Sequence, residues 1–310
     1  MKRLFLKAAG AAAAGALLKA CGGGGGGGGS GTPGGSQTLL QLLQQDARFS
    51  TLLAALQNAG LTGQLDQAGA SQTLFAPTND AFNMLTSHTG ALSADKLAEF
   101  IGFHVVPQFL SAAALRSFAG SGQTPETLYS YRGNTAVLIF KTDNGPLNIW
   151  DGIGRTSITI PEPDIAASNG VLHVVSDVLV PRGVLTVAQI LRASIDSFSE
   201  FSASVQGSTF ATLNGTASYT VFVPDNAFMN GSLADNVVRT HIVAGEIGSN
   251  AFDPAGVRLT TLNSNQQVTL RKGSGSLLAT LSYGAVQATV TDVDFFASNG
   301  VIHVINTVLR

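Results

Sequence analysis

The chain has 310 residues, of which 45% are hydrophobic and only 12% are charged, against roughly 25% charged residues in an average soluble protein. Its formal net charge is −2 at pH 7, so it lacks the basic surplus with which proteins bind phosphate backbones, and we expect no nucleic-acid partner. A single cysteine excludes a disulfide within the chain and leaves burial of apolar surface as the source of stability.

Residues 1–20 indicate an export signal. Basic residues up to Lys7 precede a weakly apolar stretch, Ala8 to Leu18, which is too short to span a bilayer as a permanent helix. Cys21 follows, in a position that resembles the acylated cysteine of a bacterial lipoprotein; an ordinary signal peptide with a chance cysteine is the alternative. Loss of residues 1–20 removes four cations and no acids, and takes the net charge from −2 to −6.

Eight glycines, Gly22 to Gly29, follow the cysteine. Glycine loses more backbone freedom on folding than any other residue and offers no side chain to pack, so an unbroken run forms neither a helix nor a core. We therefore expect residues 21–36 to be a lipidated cysteine and a flexible tether. Such a tether holds the globular part near a membrane but outside it.

The rest of the chain divides into two domains, expected at 37–181 and 183–310, because one series of patterns occurs twice. Each series opens with apolar residues at helical spacing, which stop at Gly60 in the first domain and at Gly207 in the second. The joint, Pro181-Arg-Gly183, is so short that the two domains are expected to be restrained relative to each other.

Each domain then carries a block in which a strand meets a helix. It is Leu74-Phe-Ala-Pro-Thr-Asn-Asp-Ala-Phe82 in the first domain and Val221-Phe-Val-Pro-Asp-Asn-Ala-Phe228, one residue shorter, in the second. We expect a strand that stops at the proline, a helix cap at the next residue and two core phenylalanines. The residues with these structural roles are Phe75, Pro77, Thr78, Phe82, Phe222, Pro224, Asp225 and Phe228.

A further helix, Ser93 to Gly102, is expected in the first domain and a shortened one in the second, each followed by a strand that contains His104 or His241. Strands with alternating or continuous apolar residues complete each domain, and helices followed by strands indicate an α+β fold. The expected strands are Thr127 to Tyr131, Ala136 to Lys141, Leu147 to Trp150, Ser157 to Ile160 and Val171 to Val175, then Val268 to Leu270, Leu277 to Leu281, Ala285 to Val290 and Val301 to Ile305.

The final strand of each domain follows an Asn-Gly pair, Asn169-Gly170 or Asn299-Gly300. This dipeptide is typical of tight hairpins that need positive φ angles. Shortly after each pair the strand carries a histidine, His173 or His303.

These repeated blocks resemble the fasciclin (FAS1) family. The resemblance covers nearly the whole chain after the leader, and it is specific because the characteristic segments occur in order, twice. It implies two tandem FAS1 domains, each a small two-sheet β wedge or sandwich flanked by α-helices.

The four repeated histidines, His104, His173, His241 and His303, raise the possibility of a metal or catalytic site. Each is predicted in a strand between aliphatic residues, with no second ligand at zinc spacing, so we expect core imidazoles that are hydrogen-bonded to the backbone, and no metal. Phe103 and His104 also match a Tyr-His segment implicated in integrin adhesion in animal members of the family, which makes them a tentative contact surface.

The segment Glu162-Pro163-Asp164-Ile165 resembles the Glu-Pro-Asp-Ile-Met adhesion peptide of animal matrix members of the family, and is a second tentative binding site. The alternative is a strand edge stiffened by Pro161 and Pro163, with the carboxylates at solvated loop ends. The second domain has no such segment: Thr291-Asp-Val-Asp-Phe295 stands there.

The sequence carries no G-x-S-x-G elbow, no H-E-x-x-H and no phosphate loop, and no cofactor is expected. We therefore expect a non-enzymatic, lipid-anchored protein of a bacterial envelope, facing the periplasm or the cell exterior, that contacts a cell-surface or matrix protein or a polysaccharide. A small-molecule-binding or hydrolytic protein that uses an interdomain cleft, and a structural envelope spacer, are the alternatives. A deep pocket with convergent polar groups would favour the former.

Overall fold

The structure is a computed structural model that describes residues 34–142, 145–264, 266–274 and 278–310. The predicted signal peptide, Cys21 and the glycine run lie outside the described residues. Within the described part, helices predominate at the start of each half and strands at its end, which confirms the α+β class.

Polar side chains cap the helices of the first half. The Thr38 hydroxyl accepts a hydrogen bond from Gln41 N, and the Gln41 side chain accepts one from Thr38 N, so the first helix begins with a capping box. Thr78 caps the fourth helix, as the sequence predicts. The helices are α1 (Leu39–Gln45), α2 (Ser50–Asn58), α3 (Thr62–Leu65), α4 (Asn79–Thr89), α5 (Ala94–His104) and α6 (Ala112–Ser121).

The second half repeats the capping box with Thr186 and Gln189. Its helices are α7 (Val187–Ala193), α8 (Ile195–Ser204), α9 (Gly207–Leu213) and α10 (Asp235–Thr240). Three-residue 3₁₀ turns lie at Ala47–Phe49, Asn226–Phe228 and Ser249–Ala251.

The strands of the first half form three separate sheets among the described residues. They are β1 (Gln72–Pro77), β2 (Val105–Val106), β3 (Glu126–Tyr131), β4 (Asn134–Val137), β5 (Ile139–Lys141), β6 (Asn148–Trp150), β7 (Ile158–Thr159), β8 (Glu162–Ala167) and β9 (Gly170–Val175). The sheets have the strand orders β2-β1-β9-β8, β3-β4 and β5-β6-β7.

The strands of the second half form one seven-stranded sheet in the order β11-β10-β16-β15-β14-β13-β12. They are β10 (Tyr219–Pro224), β11 (Ile242–Ala244), β12 (Val257–Thr260), β13 (Gln267–Lys272), β14 (Ala279–Tyr283), β15 (Val286–Ala297) and β16 (Gly300–Ile305). The strand predictions are thus close, but they omit β8 and β12 and stop β15 seven residues early.

In both halves the last strand lies inside a sheet, parallel to the first strand of that half. Phe75 of β1 lies opposite His173 of β9, and Phe222 of β10 lies opposite His303 of β16. Every residue of β9 and β16 is buried, which explains why these segments are apolar on both faces.

The two halves differ where the chain enters the last hairpin. In the second half β15 runs unbroken for twelve residues and joins β14 to β16. In the first half the corresponding stretch is interrupted between β7 and β8, next to Pro161. Proline has no amide hydrogen to donate to a neighbouring strand, so Pro161 and Pro163 weaken the ladder at this point.

Each Asn-Gly pair lies at a tight hairpin, as predicted, because Ala167 pairs with Gly170 and Ala297 with Gly300; of the four residues, however, only Gly300, with φ of 147°, has a positive φ angle. The asparagine side chains also hold the first helix of each half. Asn169 Oδ1 accepts from Leu39 N at 2.9 Å, and Asn169 Nδ2 donates to Leu65 O at 2.8 Å and to Gln67 O at 3.3 Å. Asn299 makes the same set of bonds, with Val187 N, Leu213 O and Gly215 O.

Glycine is required after each asparagine by a close approach of two backbones. A Cβ atom on Gly170 would overlap the carbonyl oxygen of Gln72, and one on Gly300 would overlap that of Tyr219. These carbonyls belong to the parallel strands β1 and β10. Each Asn-Gly pair therefore connects the first helix of its domain to the last hairpin, through the asparagine side chain and the close approach at the glycine. We call this contact the clamp.

The shortened block of the second half changes two predicted roles. Asp225 caps a 3₁₀ turn instead of an α-helix. With one residue missing and a 3₁₀ turn in place of the helix, Phe228 is 48% exposed and is not a core residue. Met229, which has the same spacing from its proline as Phe82, is 6% exposed and takes the inward position.

Two further predictions are wrong. Gly207 begins α9 and does not end a helix, whereas Gly60 has φ of 68° and follows α2 as predicted. The predicted strand from Ala136 to Lys141 is broken at Leu138, which is buried between β4 and β5. Helix α6 was not predicted from the sequence.

A hydrophobic core runs through both halves. One cluster of buried side chains includes residues from Leu39 in α1 to Val308 near the end of the chain, and a second, smaller cluster lies within the second half. Helix α4 of the first half packs on α7 of the second. The two domains are therefore restrained relative to each other by packed side chains, as the short joint predicts.

Candidate binding surfaces

His173 and His303 occupy equivalent positions in the two halves, and both of their ring nitrogens are hydrogen-bonded. His173 Nδ1 accepts from Asp164 N at 3.1 Å, and Nε2 lies 2.8 Å from Leu110 O. His303 has the same partners in its own half, Asp294 N at 3.3 Å and Ile247 O at 2.8 Å. Because Nδ1 accepts in each ring, Nε2 carries the proton and donates to the carbonyl.

Burial lowers the pKa of both imidazoles, so they are neutral at pH 7. Each ring also lies against a core phenylalanine: Phe75 is 5.5 Å from His173, and Phe222 is 5.7 Å from His303, between ring centroids. A ring with both nitrogens occupied has no free atom for a metal or for a proton transfer.

His104 and His241 form a second equivalent pair. They were predicted in strands, but His104 is the last residue of α5 and His241 follows α10 directly. His104 Nδ1 donates to Phe100 O one turn earlier at 2.7 Å, and Nε2 accepts from Leu179 N at 2.9 Å. His241 makes the same two bonds with Val237 O and Leu309 N.

Each of these histidines ties a helix end to the last segment of its domain. Complete burial lowers the pKa of His104 and of His241 to about 4, so both are neutral at pH 7. Phe103 is 1% exposed and His104 is 0% exposed. The contact surface predicted at Phe103 and His104 is therefore not available to a partner.

Asp164 and Asp294 sit in β-bulges, in the left-handed backbone region at φ of 60° and 66°. The Asp164 carboxylate accepts from Ala112 N at 2.8 Å and so caps α6. The Asp294 carboxylate accepts from both the backbone N–H and the hydroxyl of Ser249, at the start of a 3₁₀ turn. The Asp164 carboxylate is therefore a helix cap, although the residue itself is exposed.

The rest of the predicted adhesion segment lies on the strand edge of β8. Glu162 and Pro163 are exposed, whereas Ile165 is half-buried. Glu162 pairs with Arg48 at 2.6 Å, and this hydrogen-bonded pair lowers the pKa of Glu162. Arg48 also binds Asp46 at 2.8 Å, so the exposed edge carries one cation between two carboxylates.

A cleft of about 360 Å³ lies where the two halves meet. β4 and Trp150 line it from the first half, Phe296 from the second, and Arg182 from the joint. Asp151 at its base is 7% exposed and accepts hydrogen bonds from Ile153 N, Arg155 N, Arg155 Nε and Val180 N.

The walls of the cleft are held together by contacts between the halves. Arg132 binds Glu246 at 2.6 Å, and its guanidinium lies 4.9 Å from the Tyr131 ring centroid and 5.0 Å from that of Phe296. Gly183 N donates to Phe296 O at 2.8 Å. The cleft is thus fixed in shape by an ion pair, ring contacts and a backbone bond.

The sequence model of the Fasciclin domain family matches residues 47–181 and 196–310. The chain belongs to this family. The tandem fasciclin domains inferred from the repeated blocks are thereby confirmed.

The chain is also similar to individual proteins. Protein sll1483 of Synechocystis is 32% identical over 151 residues, which cover 47% of this chain and 74% of that protein. Transforming growth factor-beta-induced protein ig-h3 of Sus scrofa is 33% identical over 147 residues, 46% of this chain and 19% of that protein, so the chain spans less than a fifth of its length. A solved FAS1 domain pair from the insect cell adhesion molecule Fasciclin I covers 86% of this chain and 98% of that one, with a TM-score of 0.43 and 17% identity.

Two features are absent from the described part of the fasciclin domains. Among residues 34–310, leaving out 143–144, 265 and 275–277, no three His, Cys, Asp or Glu side chains are placed to hold a metal ion. In the same part of the chain no helix has the length and apolar composition needed to cross a bilayer.

Sequence reasoning missed the cleft residues of the fasciclin pair. Trp150 is the sole tryptophan of the chain, which was a usable signal, because large aromatic side chains are enriched at binding surfaces. Arg182 and Phe296 carried no such signal. They meet Trp150 only through the packing of one domain on the other, which the sequence pattern of either domain alone does not reveal.

Proposed function

We propose that the chain is a non-enzymatic adhesion module of a bacterial envelope, which contacts a cell-surface protein, a matrix protein or a polysaccharide. Membership of the fasciclin family supports this, because related proteins of the family serve in cell adhesion and matrix binding. A chain of two packed domains offers such a partner a fixed surface.

The observation that carries the proposal is that all four repeated histidines are hydrogen-bonded inside the fold. Each of the four is buried, and each has both ring nitrogens bonded to backbone groups of its own domain. Asp151, the one carboxylate that lines the cleft among the described residues, is likewise occupied by four donors. General acid–base catalysis needs a group that is free to accept or give a proton.

The exposed edge of β8 is the contact surface that we propose for the first domain, at Glu162, Pro163 and Ile165. An edge strand presents unpaired backbone groups, to which another chain can add. One oxygen of the exposed Asp164 carboxylate is engaged by Ala112 N, so the proposed contact does not depend on it.

The test is attachment of the full chain carrying Cys21→Ser, which stays in solution, to arrays of matrix proteins and glycans. Glu162→Lys is expected to weaken attachment at the β8 edge. Asp292→Lys is the matched control, because Asp292 lies opposite Val304 in the second domain as Glu162 lies opposite Val174 in the first. Absence of attachment, together with turnover of an ester or a glycoside, would contradict the proposal.

We further propose that Cys21 is acylated and that the mature chain begins there. One acyl chain gives only marginal membrane binding, whereas the two or three of a bacterial lipoprotein give stable anchoring. Mass spectrometry of the membrane fraction is expected to find a lipid-modified chain without residues 1–20, and Cys21→Ser is expected to release the protein. A soluble mature chain with a free Cys21 thiol would refute the anchor.

A further inference from the structure

The interdomain cleft has the size and lining of a small-molecule site. At about 360 Å³ it lies at the lower end of the range for ligand pockets, roughly 300–1,000 Å³. Three half-buried aromatic side chains, Tyr131, Trp150 and Phe296, contribute to its walls. The exposed polar residues Asn134 and Thr135 lie at its β4 side.

This combination suits a sugar ring. A pyranose presents C–H groups on its faces, which pack on aromatic rings, and hydroxyls on its perimeter, which exchange hydrogen bonds with amide and hydroxyl side chains. A purely apolar ligand would make no use of Asn134 and Thr135. A pocket that places aromatic faces next to a few polar side chains fixes both the position and the orientation of such a ring.

The charged side chains in and beside the cleft set a second requirement for the ligand. The positive charge of Arg132 is matched by Glu246 at 2.6 Å, and that of Arg155 by Asp151 at 2.9 Å. Arg182 lines the cleft, is exposed, and has no carboxylate within ion-pair distance among the described residues.

Lys141 adds a second positive charge beside the cleft, with its Nζ 5.3 Å from the centroid of the Trp150 ring. The mature chain as a whole is acidic, so this local excess of positive charge stands out. A bound ligand that brings a carboxylate to Arg182 would complete the pairing, and a guanidinium binds a carboxylate with two parallel hydrogen bonds.

We propose that the interdomain cleft binds an acidic sugar segment, with its ring on Trp150 and its carboxylate on Arg182. This inference rests on the proposed function, because it specifies that the polysaccharide partner is an acidic one. An acidic peptide would satisfy Arg182 but would make no use of the aromatic wall as a ring platform. A neutral sugar would use the wall and leave Arg182 unpaired.

The sole tryptophan makes the test direct, because fluorescence of the chain reports on the cleft. The full chain carrying Cys21→Ser is titrated with an oligogalacturonate of defined length while tryptophan emission is followed. We expect a saturable change that weakens with added salt. Arg182→Gln is expected to weaken binding at least tenfold, whereas Arg116→Gln, an exposed arginine on α6 away from the cleft, leaves it unchanged.

Two competitors decide the ligand class. A neutral oligosaccharide of equal length that binds as tightly would overturn the role of Arg182, and a glutamate peptide that binds more tightly would overturn the sugar. No change in emission and no heat of binding in calorimetry would overturn the site itself. Trp150→Phe, read by calorimetry, keeps a ring in place and is expected to bind more weakly but still detectably.

The attachment assay separates this inference from the proposed function. If oligogalacturonate gives neither a change in emission nor heat, while the chain attaches to a surface and Glu162→Lys weakens that attachment, the cleft proposal is overturned and the adhesion proposal stands. If oligogalacturonate binds in the cleft and no surface is attached, the cleft proposal stands and adhesion is overturned.

Discussion

Asp164 and Asp294 show how one residue connects a strand to the helix that packs beside it. The backbone N–H of each donates to the histidine of the last strand, and the carboxylate of each caps the helix or turn that comes after β2 or β11. Aspartate tolerates the left-handed backbone better than most residues, which suits it to the bulge. The same device stands in both domains, although the surrounding sequence differs.

Asp164→Ala is therefore expected to destabilise the protein by about 1–3 kcal/mol, because it removes a helix cap and places alanine in the left-handed region. Asp164→Asn keeps an acceptor and the backbone preference, and should cost much less. Chemical denaturation of both variants measures the difference. Glu162→Ala, two residues away and exposed, is the control and should leave the unfolding midpoint unchanged; equal loss in all three variants would contradict the cap.

The buried histidines make the fold sensitive to mild acid. Burial lowers the pKa of His104 and His241 from 6.5 to about 4, so between these values the unfolded chain binds protons that the folded chain does not. Stability is therefore complete above pH 6.5 and is lost as the pH falls towards 4, by roughly 1.4 kcal/mol per pH unit for each histidine. His173 and His303 act in the same direction.

His241→Asn should thus lower the free energy of unfolding at pH 7.5 and also flatten its decline between pH 6.5 and 5, by about 1.4 kcal/mol per pH unit. Urea denaturation at several pH values measures both effects. Phe201→Leu is a matched control, because Phe201 is buried against the His241 ring but does not titrate. If this control flattens the decline as much, the histidines are not the cause.

At the scale of elements, the clamp between the first helix and the last hairpin defines each domain. Gly170→Ala places a Cβ on the Gln72 carbonyl and must separate β1 from β9, so we expect a loss of about 3 kcal/mol or more. Gly120→Ala, within α6 and facing open space, should instead stabilise by about 0.5–1 kcal/mol. Thermal unfolding of the two variants compares them, and equal behaviour would contradict the close approach.

The elements that the sequence predicts well are those with a local cause. Thr78 caps α4 and the apolar β9 is central, because capping and burial leave marks on neighbouring residues. Phe228 was mispredicted because the second block is one residue shorter than the first, which moves this phenylalanine out of the core position without changing its residue type. Gly207 was mispredicted because a glycine after one helical pattern can also mark the start of the next helix, as it does for α9. His104 was predicted in a strand because its neighbours are aliphatic. Aliphatic neighbours also suit the buried end of a helix, and His104 is the last residue of α5.

At the scale of the whole molecule, the two domains share packed surface, and we expect the full chain to unfold in one transition. Phe296→Ala removes the ring that contacts Tyr131 and Arg132, costs about 1–3 kcal/mol and is expected to split that transition into two. Differential scanning calorimetry distinguishes the cases. Phe228→Ala, an exposed phenylalanine of the same domain, should leave a single transition, and two transitions in the unmodified chain would contradict the coupling.

Independent folding of the halves stays a prediction that rests on the sequence repeat. Each half holds a complete set of helices and strands, so fragments 37–181 and 183–310 are expected to fold. The cleft was beyond such reasoning, because Trp150, Arg182 and Phe296 come together only when one domain packs on the other.

The position of the last strand in each domain has a mechanical consequence. β9 and β16 lie inside their sheets with hydrogen-bonded neighbours on both sides. Tension applied along the chain pulls each of these strands along its own axis, so the bonds on both flanks bear the load together instead of breaking one after another. Attachment of one surface to another, as proposed for this chain, would load it in this way, and the order of its strands suits it to resist being pulled apart.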